Sequence, residues 1–194
     1  MQIQNGEKFM ETSSQTYEKN IYNQIEEAFG KVVYTYTTHI IQAGRIQKNN
    51  RRLKWAQIIL SAVSAGGFLG TIVTDTTALA WIGGLCSTVL LVLTSYFKDM
   101  DLTEKQKKHL DISNKLWSLR EDYLSLLIDF SMIDVAVVVE RRELLKERTA
   151  KIYAEAPITD ERSYKLAQQA LQKKESQYFN RDELNMILPQ NLRK

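Results

Sequence analysis

Few residues of this sequence are of the types that carry out catalysis or bind metals. The chain has two histidines, His39 and His109, which lie far apart, and one cysteine, Cys86, inside an apolar stretch. A single cysteine excludes an internal disulfide framework and a multi-cysteine zinc site. The sequence contains no HExxH, P-loop, GxGxxG or GxSxG motif. We therefore expect no enzyme, no metal and no cofactor. The histidines are expected to pack or cap helices, and Cys86 to act as a small apolar residue.

The polar residues that could have a function lie inside a long uncharged block. Between Trp55 and Phe97 the only charged residue is Asp75, and a short polar segment divides the block into two apolar arms, 55–73 and 78–97. At about 1.5 Å per helical residue, each arm reaches roughly 30 Å, the thickness of a bilayer core. The block therefore predicts a hairpin of two membrane-spanning helices. The alternative is a buried hairpin in a soluble helical bundle.

One face of the first arm is polar. With about 100° of rotation per residue, six candidate pore-lining residues fall on one side of the helix, and one of them is apolar. They are Gln57, Ser61, Ser64, Phe68, Thr71 and Asp75. This stripe could line a water-filled path with Phe68 as its constriction, or it could form hydrogen bonds between helices in a closed bundle. Two helices cannot enclose a pore, so the first interpretation requires several copies of the chain.

Small residues mark faces at which another helix backbone could approach closely. In the first arm they lie opposite the polar stripe, where Gly66 and Gly70 form a GxxxG pair. In the second arm they share a small and polar side. The candidate helix-packing residues are Ala62, Gly66, Gly70, Gly83, Gly84 and Ser87.

Basic residues flank both arms, whereas the connecting loop, residues 74–77, has none. The basic flanks are Arg45, Lys48, Arg51, Arg52 and Lys54 before the first arm, and Lys98, Lys105, Lys107, Lys108 and Lys115 after the second. Because the cytoplasmic flanks of membrane helices carry an excess of Lys and Arg, this pattern predicts two spans with both termini in the cytoplasm. The net charge of +3 is too small to predict direct nucleic-acid binding.

The remaining segments have helical periodicity, and no strand pattern stands out. We expect an N-terminal amphipathic helix in residues 1–30, which Gly30 ends or bends, a core of long helices and the membrane hairpin in 31–131, and a C-terminal cytosolic helical region in 132–194. Pro157 is expected to end a helix, and Asn180 with Glu183 resembles a capping box. The predicted fold is all-α: a two-helix transmembrane hairpin with long amphipathic cytosolic helices packed as a bundle.

The order of these parts resembles the SLATT family, the SMODS and SLOG-associating two-transmembrane effector domain proteins. Three segments carry the resemblance. The first is YTYTTHIIQAGRIQKNNRRLKWAQIILSAVSAGGFLG, residues 34–70. The second is KHLDISNKLWSLREDYLSLL, residues 108–127, and the third is the tail, residues 141–171 and 179–193. Together they cover most of the chain from about Tyr17 onward, and all three in order around a two-helix hairpin make a specific match.

The resemblance implies a bacterial anti-phage defence effector that damages the inner membrane, as a pore, when infection is sensed. This function is known as abortive infection. The implied partners are membrane lipid, further copies of the chain, and a co-encoded sensor or signal-producing protein: a nucleotidyltransferase, a SLOG protein or a reverse transcriptase. Because the sequence shows no fused sensor domain, we expect the trigger to come from that partner.

Two other functions stay open from the sequence. In the first, the hairpin is a membrane anchor, and the helical part is an adaptor that recruits a neighbouring defence enzyme without forming a pore. In the second, the chain is an autonomous holin-like toxin that needs no partner. Toxicity on expression alone would favour the second, and recruitment without membrane leakage would favour the first.

Overall fold

The computed structural model describes residues 2–74, 76–98, 100–173 and 179–192. Helices account for nearly all of these residues and none of them lies in a strand, which confirms the predicted all-α fold. The elements are α1 (Gln2–Thr74), α2 (Thr77–Lys98), α3 (Leu102–Asp129), α4 (Val135–Glu155), α5 (Glu161–Lys173), α6 (Arg181–Ile187) and a 3₁₀ turn (Gln190–Leu192).

The chain forms two compact units. We call Met1–Ile41 with Asp111–Lys194 the helical unit, and Gln42–Leu110 the hairpin unit. Gly30 was expected to end or bend a helix. Helix α1 continues through this glycine, so no helix ends there, and a bend stays a prediction. A glycine inside a helix costs about 1 kcal/mol relative to alanine. The neighbouring side chains of Ile25 and Val32 are buried in the core, and their burial outweighs that cost.

Helix α3 provides the centre of the helical unit. Its buried apolar residues recur every three or four positions, so they form one stripe along the helix. Leu116 and Leu119 are fully buried in this stripe. Residues of α1 and α4 complete the core. The buried cluster consists of Ile21, Ile25, Val32, Ile112, Leu116, Leu119, Tyr123, Leu126, Val138 and Ile152.

Polar contacts fix α4 against α3 in the helical unit. The Tyr123 hydroxyl lies 3.1 Å from Thr149 Oγ1, and because Thr149 donates to a backbone carbonyl of its own helix, Tyr123 is the donor. Burial raises the pKa of Tyr123. On the surface Lys115 forms an ion pair with Glu155 at 2.9 Å. The buried tyrosine is the more costly of these contacts to lose, because exposed ion pairs contribute little.

In the C-terminal region, local sequence signals determine where α4 ends and where α6 begins. Helix α4 ends at Glu155, two residues before Pro157. The side chain of Asn180 accepts from the backbone N–H of Glu183, and the Glu183 carboxylate accepts from the backbone N–H of Asn180. This reciprocal pair is a capping box, as predicted.

Candidate functional site: the apolar hairpin

Helices α1 and α2 each contain a segment long and apolar enough to cross a membrane. Their most apolar 18-residue windows have mean hydropathies of 1.7 and 1.9, and only 0% and 6% of those windows are buried within the chain. The core helix of a soluble protein would be mostly buried, whereas here large side chains such as Leu69, Trp81 and Leu91 are exposed. The two segments therefore have the surface of a transmembrane hairpin and not that of a soluble core.

The two helices pack along positions spaced three and four residues apart. This spacing is typical of paired membrane helices, because it keeps one face of each helix towards its neighbour. The less exposed positions are Leu53, Ala56, Gln57, Leu60, Ser64, Gly67, Gly70 and Thr71 in α1, and Leu79, Gly83, Cys86, Leu90, Leu93 and Phe97 in α2.

Helices α1 and α2 approach each other closely at Gly67 and Gly83. A Cβ atom added to Gly67 would lie 2.9 Å from the Leu79 carbonyl oxygen and 3.3 Å from Gly83 Cα, and one added to Gly83 would lie 3.1 Å from the Ser64 carbonyl oxygen. All three are backbone atoms, which cannot move aside separately. Only glycine fits at these two positions, because any side chain would push the helices apart.

Gly67 is the functional residue that the sequence reasoning missed. It stands beside Gly66 in the sequence, and the GxxxG pattern favours Gly66. The signal that identifies Gly67 is its spacing from Ser64 and Thr71, which places it on the same face as those two polar residues. In the structure Ser64, Gly67 and Thr71 all belong to the packed face of α1.

Hydroxyl groups in the hairpin are satisfied in two ways. The hydroxyls of Ser64 and Ser87 form a hydrogen bond with each other across the two helices. Thr71 donates to the Gly67 carbonyl of its own helix at 2.9 Å, and Thr88 donates to the Gly84 carbonyl at 3.0 Å. These bonds remove most of the cost of placing a hydroxyl in an apolar environment.

The polar stripe predicted in α1 is therefore divided. Ser64 and Thr71 have partners within the hairpin, whereas Gln57 and Ser61 have none among the described residues. Both border an open groove that Ile58, Ala62, Ala65, Leu90 and Thr94 also line. Phe68 is 67% exposed, and Asp75 lies outside the described residues. The role of the stripe in lining a pore stays a prediction.

The predicted helix-packing residues fall into two groups. Gly83 and Ser87 lie at contacts between α1 and α2, and a Cβ atom on Gly70 would lie 3.0 Å from Leu79 Cδ1. A Cβ atom on Gly66 or Gly84 would meet no atom within 4 Å, and Ala62 borders the open groove. Residues of the second group are free to contact another chain, and that role too stays a prediction.

A pocket with a mixed wall lies where the two apolar segments end, and Leu53, Phe97 and Leu102 form its apolar part. Lys54 and Lys98 line it together with Asn50, Gln57 and Asp101. The Asn50 side-chain amide donates to the Thr103 hydroxyl at 3.2 Å, and Asp101 accepts from the backbone N–H of Glu104 at 2.9 Å at the start of α3. The pocket thus has fixed walls and two lysines without an ion pair among the described residues.

Some other ionisable groups are paired or buried. Lys108 lies 2.7 Å from Glu104, and the hydrogen bond to that carboxylate raises the pKa of Lys108. His109 is buried, as is His39 in the helical unit. Across the part of the chain that the structure describes, no three His, Cys, Asp or Glu residues are grouped so that they could hold a metal ion.

Comparison with known families identifies the type of domain. The family model described as "SMODS and SLOG-associating 2TM effector domain family 4" matches residues 21–183, where 2TM stands for two transmembrane helices. The match covers most of the chain and includes the whole apolar hairpin. No curated protein and no solved structure matches the sequence.

Proposed function

The chain belongs to the SMODS and SLOG-associating 2TM effector domain family 4, and we propose that it acts by opening a path for ions through the bacterial inner membrane. Membership implies an anti-phage defence effector, and the two apolar helices mark a membrane protein with two spans. The proposal adds that several copies assemble, that the assembly permeabilises the membrane, and that a signal from a co-encoded partner triggers it.

The observation that carries the proposal is the pair of unpartnered polar side chains, Gln57 and Ser61. Both lie in the apolar segment of α1 and border an open groove. An amide or hydroxyl that faces lipid without a hydrogen bond costs several kcal/mol on scales that allow no partner, or about 1–3 kcal/mol in proteins. In an assembly these groups would instead face water or the same groups of another copy, which is where polar residues of membrane helices are found.

Phe68 gives the proposed path a way to stay closed at rest. Its ring is exposed on the outside of the hairpin and lies between the polar residues of the stripe. A ring of such side chains around an axis would exclude water by dewetting, without any charge. A change in the packing of the cytosolic helices would then separate the rings and let ions pass.

The test is membrane potential in cells that express the full chain with its co-encoded partner. With both proteins present, phage infection should depolarise the membrane before the cells lyse. Replacing the two unpartnered polar residues in Gln57→Leu/Ser61→Ala should slow depolarisation, because the polar lining is lost while the apolar hairpin remains.

The matched control is Thr74→Val/Thr88→Val, which removes two hydroxyls that are already satisfied within their own helices. This control should depolarise the membrane like the wild type. Infection without depolarisation, with the partner still recruited to the membrane, would overturn the pore and favour a membrane anchor. If both double variants slow depolarisation equally, Gln57 and Ser61 have no specific role in the ion path.

A further inference from the structure

We infer that the hairpin unit holds one anionic phospholipid, with its phosphate in the pocket formed by Lys54 and Lys98 and an acyl chain in the adjoining groove. This inference depends on insertion of the two apolar segments into a membrane, and not on pore formation. It assigns a ligand to a pocket that neither the family match nor the proposed ion path explains.

The pocket has the chemistry of a phosphate site. Its volume is about 350 Å³, within the roughly 300–1,000 Å³ of small-molecule sites. Lys54 and Lys98 bring two positive charges from two different helices. Among the described residues that line the pocket, one negative charge opposes them, that of Asp101, whose carboxylate also accepts the backbone N–H of Glu104. Because Thr103 accepts a hydrogen bond from Asn50, the hydroxyl proton of Thr103 is free to point at a phosphate oxygen.

The adjoining groove has the chemistry of an acyl-chain site. It borders the pocket directly, because Lys54, Gln57 and Thr94 line both. From there it runs along the apolar segments past Ile58, Ala65 and Leu90. The pocket is cationic and lies at the boundary of the apolar block, and the groove beside it is mainly apolar. This arrangement matches a lipid, which has a charged headgroup and a hydrocarbon tail. A soluble phosphate would use only the first part.

The position of the pocket along the chain agrees with this ligand. Lys54 directly precedes the first apolar segment and Lys98 directly follows the second, so both are at the level where a bilayer has its headgroups. Each lysine at this level favours an anionic headgroup about fivefold. Gln57 lines both the pocket and the groove, so its amide meets the headgroup end of the lipid and not the acyl chain. A lipid bound there and the assembly proposed above exclude each other on that face of the hairpin.

The experiment is native mass spectrometry of the full chain in detergent. The protein is mixed with equal amounts of phosphatidylglycerol and phosphatidylcholine that have the same acyl chains. We expect one tightly retained lipid per chain and about a fivefold preference for phosphatidylglycerol, the effect of two lysines opposed by one aspartate among the described lining residues. Lys54→Gln/Lys98→Gln should lower the preference to between one- and threefold, with unchanged helicity by circular dichroism.

The matched control is Lys105→Gln/Lys107→Gln. It removes the same charge from α3 in the hairpin unit, at residues that do not line the pocket and have no ion pair among the described residues. This control should keep the preference of about fivefold. If both double variants lose the same share of the preference for phosphatidylglycerol, the lipid is attracted by diffuse surface charge and not by a site. If the wild type shows no preference, the inference is also refuted.

A competition experiment separates the lipid from a soluble phosphate. Glycerol 3-phosphate, added at the same concentration as phosphatidylglycerol, should not displace the retained lipid, because it lacks the chain that fills the groove. If glycerol 3-phosphate displaces the lipid, the pocket binds a soluble phosphate, and the proposal of a lipid site is refuted. Fractionation of cells tests membrane insertion separately, so loss of the lipid site and loss of the proposed function are distinguishable.

Discussion

Replacing Gly67 with alanine tests whether the two helices of the hairpin touch through their backbones. The new Cβ atom would lie 2.9 Å from the Leu79 carbonyl oxygen, whereas ordinary contacts begin near 3.4 Å. The helices must therefore separate by about half an ångström at this point. Overpacking of this kind costs about 1–3 kcal/mol, so the free energy of unfolding of the hairpin should be lower in Gly67→Ala than in Gly66→Ala by that amount.

Gly66→Ala is the control, since a Cβ atom there meets no atom within 4 Å. Both substitutions gain the same helix propensity, up to about 1 kcal/mol, so this gain cancels when the two variants are compared. The difference between them is the cost of the collision alone. A second pair, Gly83→Ala against Gly84→Ala, repeats the comparison on α2.

The assay is titration with SDS of the full chain in bicelles. Separation of α1 from α2 is followed by energy transfer between dyes on Lys54→Cys and Lys98→Cys, which line one pocket, in a background with Cys86→Ala. If Gly67→Ala and Gly66→Ala unfold with free energies within about 0.5 kcal/mol of each other, the described approach of the backbones is refuted.

Three further predictions concern polar contacts. Ser64→Ala and Ser87→Ala should each lower the free energy of unfolding of the hairpin by about 0.6 kcal/mol, and the double variant should lose no more than either single variant, in the same SDS titration. Tyr123→Phe removes a buried hydrogen bond and should lower the free energy of unfolding of the full chain, measured by thermal unfolding in detergent, by about 1 kcal/mol. The pKa of Lys115 is raised above its ordinary 10.5 chiefly because its ammonium donates to Glu155. The resulting stabilisation is present below pH 10.5 and is lost as the pH rises through the raised value, so Lys115→Met should flatten the fall of the unfolding midpoint in this range.

The helices of the hairpin could be predicted from the sequence because hydrophobicity alone determines them. The predicted arms, 55–73 and 78–97, agree with the end of α1 at Thr74 and with α2, Thr77–Lys98, to within one residue. The capping box at Asn180 and the helix end before Pro157 are equally local, since each depends on residues within one helical turn. These features need no knowledge of tertiary packing.

The contact between the two helices could not be predicted in the same way. Periodicity gives the direction of a residue around its own helix, but not the direction of the partner helix. The close approach at Gly67 and Gly83 fixes that direction, and Ser64 meets Ser87 there while Gln57 has no hydrogen bond among the described residues. Ser64 and Gln57, which were both expected to line a pore, therefore have different surroundings. No helix ends at Gly30 for a related reason. Core packing on both sides of this glycine outweighs its weak local preference against helix.

Cys86 gives the molecule a built-in reporter, because it is the only thiol in the chain and lies half-buried on the packed face of α2. A maleimide that partitions into the bilayer should label it in the resting protein. A thiosulfonate with a fixed charge should react only after water enters the hairpin. The rate of that second reaction would record when the protein opens, with no label attached beforehand and no residue changed.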